Sequence, residues 1–517
     1  MHVLLTGATG YVGKHVLARL LRDGHRVTVL VRPHGGHLHA RVVDALRPLD
    51  RLSHDVHDLP RIDVLASDIT RPDCGLAAAA LSMLAETPPD LLLHCAGLTR
   101  FEQHLAGTIQ RHNLDGTRHA HVLAARLGIA RFHFLSTAFI AGDSERPFGP
   151  DERDCGQDFN NPYEASKYAA EAYLEAGVTR GGPAITVCRP SIVVGGSALG
   201  DTHAVSTVYT FIKALHFLRA CCLRDSRRAR PRLSDAGFAA QGGRCHIPLR
   251  IEADATVTLD LVDMEDVVDG IMRTLGSQSR YEVRHLTGRP TTLAALRDGI
   301  CAALGVEGPR LVAADAESRV SRTRLERQFE RLTHVYRPYL GRTARFVPPA
   351  DYHPRVVDPQ AFARDFVREL DNTQASSTPR GVGALALAVA GVQEPSDYFA
   401  ALADGRVGRL FLARNDFVDL RAEFRIRGVH ACRAHLHISR GRARVVTGPG
   451  TPSSDCAYVL DDELFMRVIS GQTDLRAAFF AGRVRIEGNL ELALKFGALL
   501  GLYFRDIDEH VLEEIAL

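Results

Sequence analysis

Along the first third of the chain, short apolar runs rich in β-branched residues alternate with stretches whose apolar positions recur at helical spacing. Runs at 3–5, 27–31, 64–66, 91–94, 132–136 and 185–188 predict strands, and 12–22, 108–127 and 162–176 predict helices between them. Strands that are apolar throughout are buried on both faces, so this alternation predicts an α/β, doubly wound parallel sheet of Rossmann type. From 191 to 351 the pattern is mixed and reads as a smaller substrate subdomain, with the Arg-dense stretch 224–232 as a solvated face. Small polar residues from Asn372 to Gly381 read as a linker. Beyond it, alternating strands at 422–426 and 434–438 and an apolar helix at 490–503 predict a second, α+β domain. The expected division is 1–370, a linker at 371–384, and 385–517.

A chain of 517 residues exceeds one ordinary core, which supports that division. The 63 Lys+Arg against 61 Asp+Glu leave +2, which argues against a dedicated nucleic-acid binder. None of the ten cysteines forms a C-x-x-C pair and the histidines lack zinc-finger spacing. Reduced thiols, no metal and a cytoplasmic location are therefore expected. Met1 leads directly into a Gly-rich turn, so no signal peptide is expected. The longest apolar run, 382–392, is too short to span a bilayer and is broken by Gly383 and Gly391. It reads as a buried helix, with a peripheral membrane contact as the alternative.

Thr6-Gly7-Ala8-Thr9-Gly10-Tyr11-Val12-Gly13 follows a predicted strand and opens a predicted helix. In that context Gly7 permits the tight turn, Gly10 the approach of a pyrophosphate, and Gly13 close packing of helix on strand. The phosphates then lie at the helix N-terminus. Where an acidic residue would accept from a ribose 2′-OH, the second strand ends Leu30-Val31-Arg32-Pro33. Arg32 suits a 2′-phosphate, so NADPH (NADP+) is the expected cofactor. Asp68-Ile69, after the third strand, suits the adenine edge.

Lysine is scarce here, with only Lys14, Lys167, Lys213 and Lys495 in the chain. One of the four stands in Tyr163-Glu164-Ala165-Ser166-Lys167, where i, i+4 spacing puts Tyr163 and Lys167 on one helix face. The ammonium and a nicotinamide's charge are expected to lower the phenol's pKa, so that Tyr163 exchanges a proton with a carbonyl or alcohol oxygen. Lys167 would also hold the nicotinamide ribose. Thr137 ends a strand at the edge where open α/β sheets bind ligands, and can donate to the reacting oxygen.

With these motifs, residues 1 to about 350 resemble the extended short-chain dehydrogenase/reductases. His94-Cys95-Ala96-Gly97, Asn113-Leu114-Asp115-Gly116-Thr117, Ser136-Thr137 and Arg189-Pro190-Ser191 carry the resemblance further. It implies Thr137, Tyr163 and Lys167 as the catalytic triad with Asn113 in support, and Ala96, Gly97, Arg189 and Pro190 beside the cofactor. His94 to Phe101, Leu135 to Gly142, Arg189 to Gly195 and Leu259 to Val267 look most like the male-sterility type of fatty acyl and carrier-bound thioester reductases. Gly97 stands where that branch often has Ala, and 200–243 departs from it. The stretches 424–445, 464–471 and 477–489 resemble the sterol carrier protein family, which implies a small sheet and helices around an apolar tunnel.

Together the resemblances imply NADPH-dependent reduction of a long-chain acyl thioester, on coenzyme A or an acyl carrier protein, to an aldehyde or alcohol. Two alternatives stand beside it: a 3-hydroxysteroid or sterol-type dehydrogenase, and a non-catalytic lipid-transfer protein whose nucleotide domain senses redox state. Chain length, carrier and oligomeric state are not legible in the residues.

Overall fold

Seven strands make one sheet: β1 (His2–Thr6), β2 (Arg26–Val31), β3 (Ile62–Ala66), β4 (Leu91–His94), β5 (Arg131–Leu135), β6 (Ala184–Pro190) and β7 (Tyr281–Leu286). Their order is β7-β6-β5-β4-β1-β2-β3, and every pairing is parallel. The helices of this unit used below are α1 (Tyr11–Arg22), α2 (Gly116–Arg126), α3 (Pro162–Val178), α4 (Val208–Asp225), α5 (Met264–Thr274) and α6 (Pro359–Ala375). This computed structural model describes residues 1–33, 38–47, 49, 62–178, 182–196, 208–226, 234, 237–313, 322–375, 392–403, 419–439, 442–446, 454–469, 473, 475–480, 482–490 and 492–493.

Alternation along the strands explains the two layers of helices. Val3, Leu5, Val27 and Val29 point to one face, where they bury Val16, Leu17 and Leu20 of α1 and Val267 and Ile271 of α5. Leu4, Leu92, Phe132, Phe134 and Val187 point to the other, against Leu123 and Ala124 of α2 and Ala170 and Leu174 of α3. The strand order reverses between β1 and β4, and crevices of this kind receive ligands at the carboxyl ends of the strands.

Six predicted strands are present, each with bounds shifted by at most two residues. The seventh, β7, lies in the stretch whose pattern is mixed, and it joins the sheet beside β6. The predicted helix at 108–127 is interrupted: Ala106–Gln110 is α-helical, Arg111–Asp115 is a π-helical turn, and α2 follows. A satellite sheet of Ile192–Val194, Thr258–Asp263 and Arg289–Thr292 lies within the subdomain stretch. Helix α6 carries the chain through Ala375, so the first residues of the expected linker are helical. Residues 376–391, including nearly all of the apolar run, lie outside the described residues, as do 227–232 of the Arg-dense stretch.

The second unit holds β8 (Leu420–Arg427), β9 (Cys432–Ser439), β10 (Arg442–Val446), β11 (Cys456–Asp461) and β12 (Arg485–Gly488), with α7 (Pro395–Ala403), α8 (Asp462–Ile469) and α9 (Leu475–Phe480). Strand order is β10-β9-β8-β11-β12, antiparallel except for β8 with β11. Inward Ala422, Phe424 and Ile426 meet Tyr398, Phe399 and Phe465 from the helices. Phe424 stacks on Tyr458 with centroids 4.8 Å apart. Of the predicted helix at 490–503, only Leu490, Leu492 and Ala493 are described; Leu490 and Ala493 are buried.

Candidate active site

The glycine turn is shaped first by the protein itself. A Cβ on Gly7, whose φ is +74°, would lie 2.5 Å from the Ala96 nitrogen, and one on Gly13 would lie 2.0 Å from the Gly7 oxygen. Both glycines are therefore needed for α1 to start where β1 ends. Gly10 differs, because its Cβ would meet only the Gly7 oxygen, at 3.2 Å. That side is open, and Gly10 caps α1 with no side-chain hydrogen bond. Among the described residues the start of α1 is thus left uncapped by any side chain, and such a helix N-terminus is the arrangement that receives a phosphate. Thr6 supports the turn from below: its buried hydroxyl accepts from the Ala96 amide at 3.2 Å and bonds His94 Nδ1 at 2.8 Å. The residues present fit a dinucleotide.

The other expected nucleotide contacts are spread around this mouth. Arg32 follows β2, and its charge, with that of His112, favours ionised Asp68. Burial works against that ionisation, but the Thr70 hydroxyl at 2.7 Å and amide at 3.0 Å, both donating to Asp68 Oδ1, hold its pKa below the usual range. Ile69 packs where Gly116 lacks a side chain. Thr9 and Val12 are half-buried in the turn. The Tyr11 side chain is engaged elsewhere, donating to the Gly195 carbonyl at 2.5 Å and lying 3.2 Å from the Tyr209 hydroxyl.

The structure brings Thr137, Tyr163, Lys167 and Asn113 together. Helix α3 starts with Asn161 accepting from the Glu164 amide at 3.1 Å, while Glu164 Oε2 accepts from the Asn160 amide at 2.8 Å. This is a variant of the capping box, with Glu164 reaching one residue before the Asn161 cap and Pro162 at the first helical position, and it fixes Tyr163 in the first turn. The side chains of Thr99 and Thr137 are near enough to the Tyr163 hydroxyl to favour its ionised form. Thr137 is itself oriented, since its oxygen accepts from the Phe139 amide at 3.2 Å and its hydroxyl reaches the Pro190 carbonyl at 3.4 Å. Burial pushes the Tyr163 phenol up to about 12, the reverse of the lowering expected from the sequence. Desolvation of the phenolate outweighs the opposing effect of the Thr99 and Thr137 side chains, and the Glu164 carboxylate adds to it, so Tyr163 is held as the neutral acid.

Lys167 lies one turn further on and is buried. Its ammonium donates to the Leu135 carbonyl at 2.7 Å and stands 4.5 Å from the centre of the Phe134 ring. Burial lowers its pKa to about 8. Asn113 sits in the π-helical turn, where its side chain accepts from the Leu98 amide at 2.7 Å and donates to Ser166 Oγ at 2.9 Å. Ser166 in turn donates to the Tyr163 carbonyl at 2.7 Å. A Cβ on Gly97 would come within 3.2 Å of Asn113 Oδ1 and 3.3 Å of Lys167 Nζ, so Gly97 covers both polar groups closely.

Arg189 has a different setting from the cofactor contact implied for it. Its guanidinium is buried against Glu171, with N–O distances of 2.6 to 3.1 Å, and donates to the carbonyls of Pro150 and Glu152. Glu171 also accepts from Ser136, beside Thr137. Phe101 packs against Tyr163, Thr99 and Tyr339 act on its hydroxyl, and Tyr336 and Tyr339 pack against Phe101, none of them singled out in the sequence. Nothing distinguishes Tyr336 and Tyr339 there from aromatics of any core, whereas the N-x-x-E spacing of Asn161 and Glu164 is a capping signal that was available.

The parallel sheet, the glycine turn and the Thr137–Tyr163–Lys167 cluster form a Rossmann-type nucleotide-binding fold with a hydroxyl–phenol–ammonium group beside its ligand edge. Comparison with known proteins narrows this: residues 5–233 match the male sterility protein family of NAD-binding domains, and 413–501 match the SCP-2 sterol transfer family. Fatty acyl-CoA reductase 1 of Gallus gallus is 34% identical over 146 residues, 27% of this chain and 28% of that protein. The terminal R domain from the myxalamid PKS-NRPS biosynthetic pathway superposes with a TM-score of 0.54 at 20% identity, covering 73% of this chain and 92% of the other. A thiolation-reductase di-domain from an archaeal non-ribosomal peptide synthetase gives 0.52 at 17% identity, covering 72% and 76%. These superpositions establish the fold. The chain spans 28% or less of the curated relatives named for reductase and hybrid synthetase activity.

Proposed function

We propose that this protein is an NADPH-dependent reductase of acyl thioesters, carried on coenzyme A or on a carrier protein, with long apolar acyl chains as substrates. The observation that carries the reading is Tyr163, a half-buried phenol on one helix face with Lys167 and packed beside the Phe101 ring. The glycine turn and Arg32 would hold NADPH, which would supply the hydride for the thioester carbonyl. Tyr163 gives its proton to the carbonyl oxygen as negative charge develops there, and Thr137 donates a second hydrogen bond. Lys167 orients the ribose and favours the phenolate left behind. The resulting hemithioacetal loses its hydroxyl proton and expels the thiol, leaving an aldehyde. A second hydride would give the alcohol.

The similarity to the chicken fatty acyl-CoA reductase supports the substrate class, and likeness to a thiolation-reductase pair supports a carrier-bound form. The match of 413–501 to sterol transfer proteins favours one second reading, oxidation or reduction of a sterol hydroxyl or ketone by the same three residues. NADPH oxidation with acyl-CoA thioesters and 3-oxo sterols, with thiol release followed in parallel, separates the two. Thiol release in step with NADPH oxidation is expected; turnover on sterols alone would replace the thioester reading by the second.

A further inference from the structure

A row of six aromatic rings runs past Tyr163. In spatial order they are Phe346, Phe139, Tyr339, Phe101, Tyr336 and Phe211, and successive centroids are 5.2, 5.4, 6.0, 5.6 and 6.0 Å apart. Phe101, near the middle, has its centroid 5.8 Å from that of Tyr163. All but Tyr336 are only half-buried, so the row is a wall with an open side rather than part of the core. Its members come from the loop after β4, the turn after Thr137, α4 and the segment at 334–346. None comes from the glycine turn or the ends of β1 and β2, where the nucleotide is held.

Tyr339 is the ring that is fixed most firmly. Its hydroxyl donates to Glu164 and accepts from Asn161 Nδ2 at 2.6 Å, and these are the two residues of the capping box that places Tyr163. The hydroxyl is thereby turned away from the row, leaving the aromatic ring between Phe101 and Phe139. The same cap thus sets the position of the proton donor and of one wall residue. A group whose carbonyl reaches Tyr163 has its neighbouring carbons laid along these rings.

Resting on the thioester reading, we infer that this row is the subsite for the acyl chain next to the reacting carbonyl, and that Tyr339 is its specificity-determining residue. Glu164 and Asn161 act as positioning residues through it. The ligand class is an unbranched apolar acyl group, which gains contact with each successive ring as it lengthens.

The test uses the full chain with NADPH bound and titrates S-ethyl, S-octyl and S-hexadecyl coenzyme A thioethers, which bind without reacting. Tyr339→Leu should weaken the octyl and hexadecyl ligands about tenfold while leaving the ethyl ligand and NADPH unchanged. Tyr339→Phe, which keeps the ring but frees it from Glu164 and Asn161, should lose less of the chain-length preference than Tyr339→Leu. In turnover, the leucine variant should raise KM for octanoyl-CoA and palmitoyl-CoA more than it lowers kcat. Equal loss for all three thioethers, or no loss, would overturn the assignment. Chain-dependent thioether binding that responds to Tyr339, in a wild type that reduces no thioester, would sustain the subsite and sink the thioester reading. A wild type that binds no thioether would overturn both.

Discussion

The ammonium of Lys167 donates to the backbone carbonyl of Leu135 across 2.7 Å, tying helix α3 to the end of β5 two residues before Thr137. Burial at that point holds the lysine's pKa at about 8. A lysine held in this position is thus placed to lose its charge just above neutral pH.

This sets an alkaline limb for activity. As pH rises through about 8, Lys167 becomes neutral, and kcat is expected to fall with it. Lys167→Met should lower kcat by about 100-fold or more and remove the limb, because the phenolate left on Tyr163 is then uncompensated at every pH. A pH profile of kcat for both proteins checks this, and an unchanged limb in the variant would assign it to another group.

Tyr163→Phe keeps the ring and removes the proton. NADPH oxidation should drop about 100-fold or more while NADPH binding is retained. Full activity in this variant would sink the assignment of the proton donor for either substrate class.

The two glycines of the turn should separate folding from binding. Gly13→Ala puts a methyl 2.0 Å from the Gly7 oxygen and is expected to destabilise the fold by about 1–3 kcal/mol, with loss of nucleotide binding. Gly10→Ala meets only one atom, at 3.2 Å, so its stability should stay within about 1 kcal/mol of wild type. Its NADPH affinity should nevertheless fall at least about tenfold, since the methyl stands where the pyrophosphate approaches. Denaturant titration and NADPH titration of both variants read the two effects.

Glu164 gives a pH-dependent stability with a definite sign. Burial raises its carboxyl from 4.5 to about 7, although Tyr339, Asn160 and Asn161 oppose the shift. Between those values the folded chain holds more protons than the unfolded one, so wild-type stability falls as pH rises from about 4.5 to about 7. Glu164→Gln lacks that slope, and its stability relative to wild type should rise by up to about 3 kcal/mol across the window. Thermal or chemical unfolding at a series of pH values measures it.

The pair Glu171–Arg189 predicts a structural effect. Both side chains are almost fully buried, with 0% and 1% exposure, and truncating either leaves the other charge unpaired. Arg189→Met should destabilise the protein by about 3–5 kcal/mol, read by denaturant unfolding. NADPH affinity measured below the unfolding range should remain, which a direct cofactor contact would not allow.

Period and spacing in the sequence carried the sheet, the glycine turn and the Tyr163–Lys167 face, because each depends on residues close together in the chain. Alternating burial makes Val3 and Leu4 face opposite layers wherever the strand pairs, and a four-residue separation puts two side chains on one helical face. The N-x-x-E cap on α3 is local in the same sense, and equally readable.

Four features were decided only by tertiary structure. The interruption of 108–127 at Asn113 lies where its amide bonds Leu98 and Ser166, which are fifteen and fifty-three residues away. Strand β7 joins the sheet by pairing with β6 across some ninety residues, within a stretch whose own pattern is mixed. Arg189 carries the same charge in a buried ion pair as beside a phosphate, and only the position of Glu171 separates the two. The phenol of Tyr163 is held neutral because the fold removes its water. Local periodicity is fixed by the backbone's own geometry, whereas desolvation and long-range pairing depend on which distant residues the fold brings to the same place.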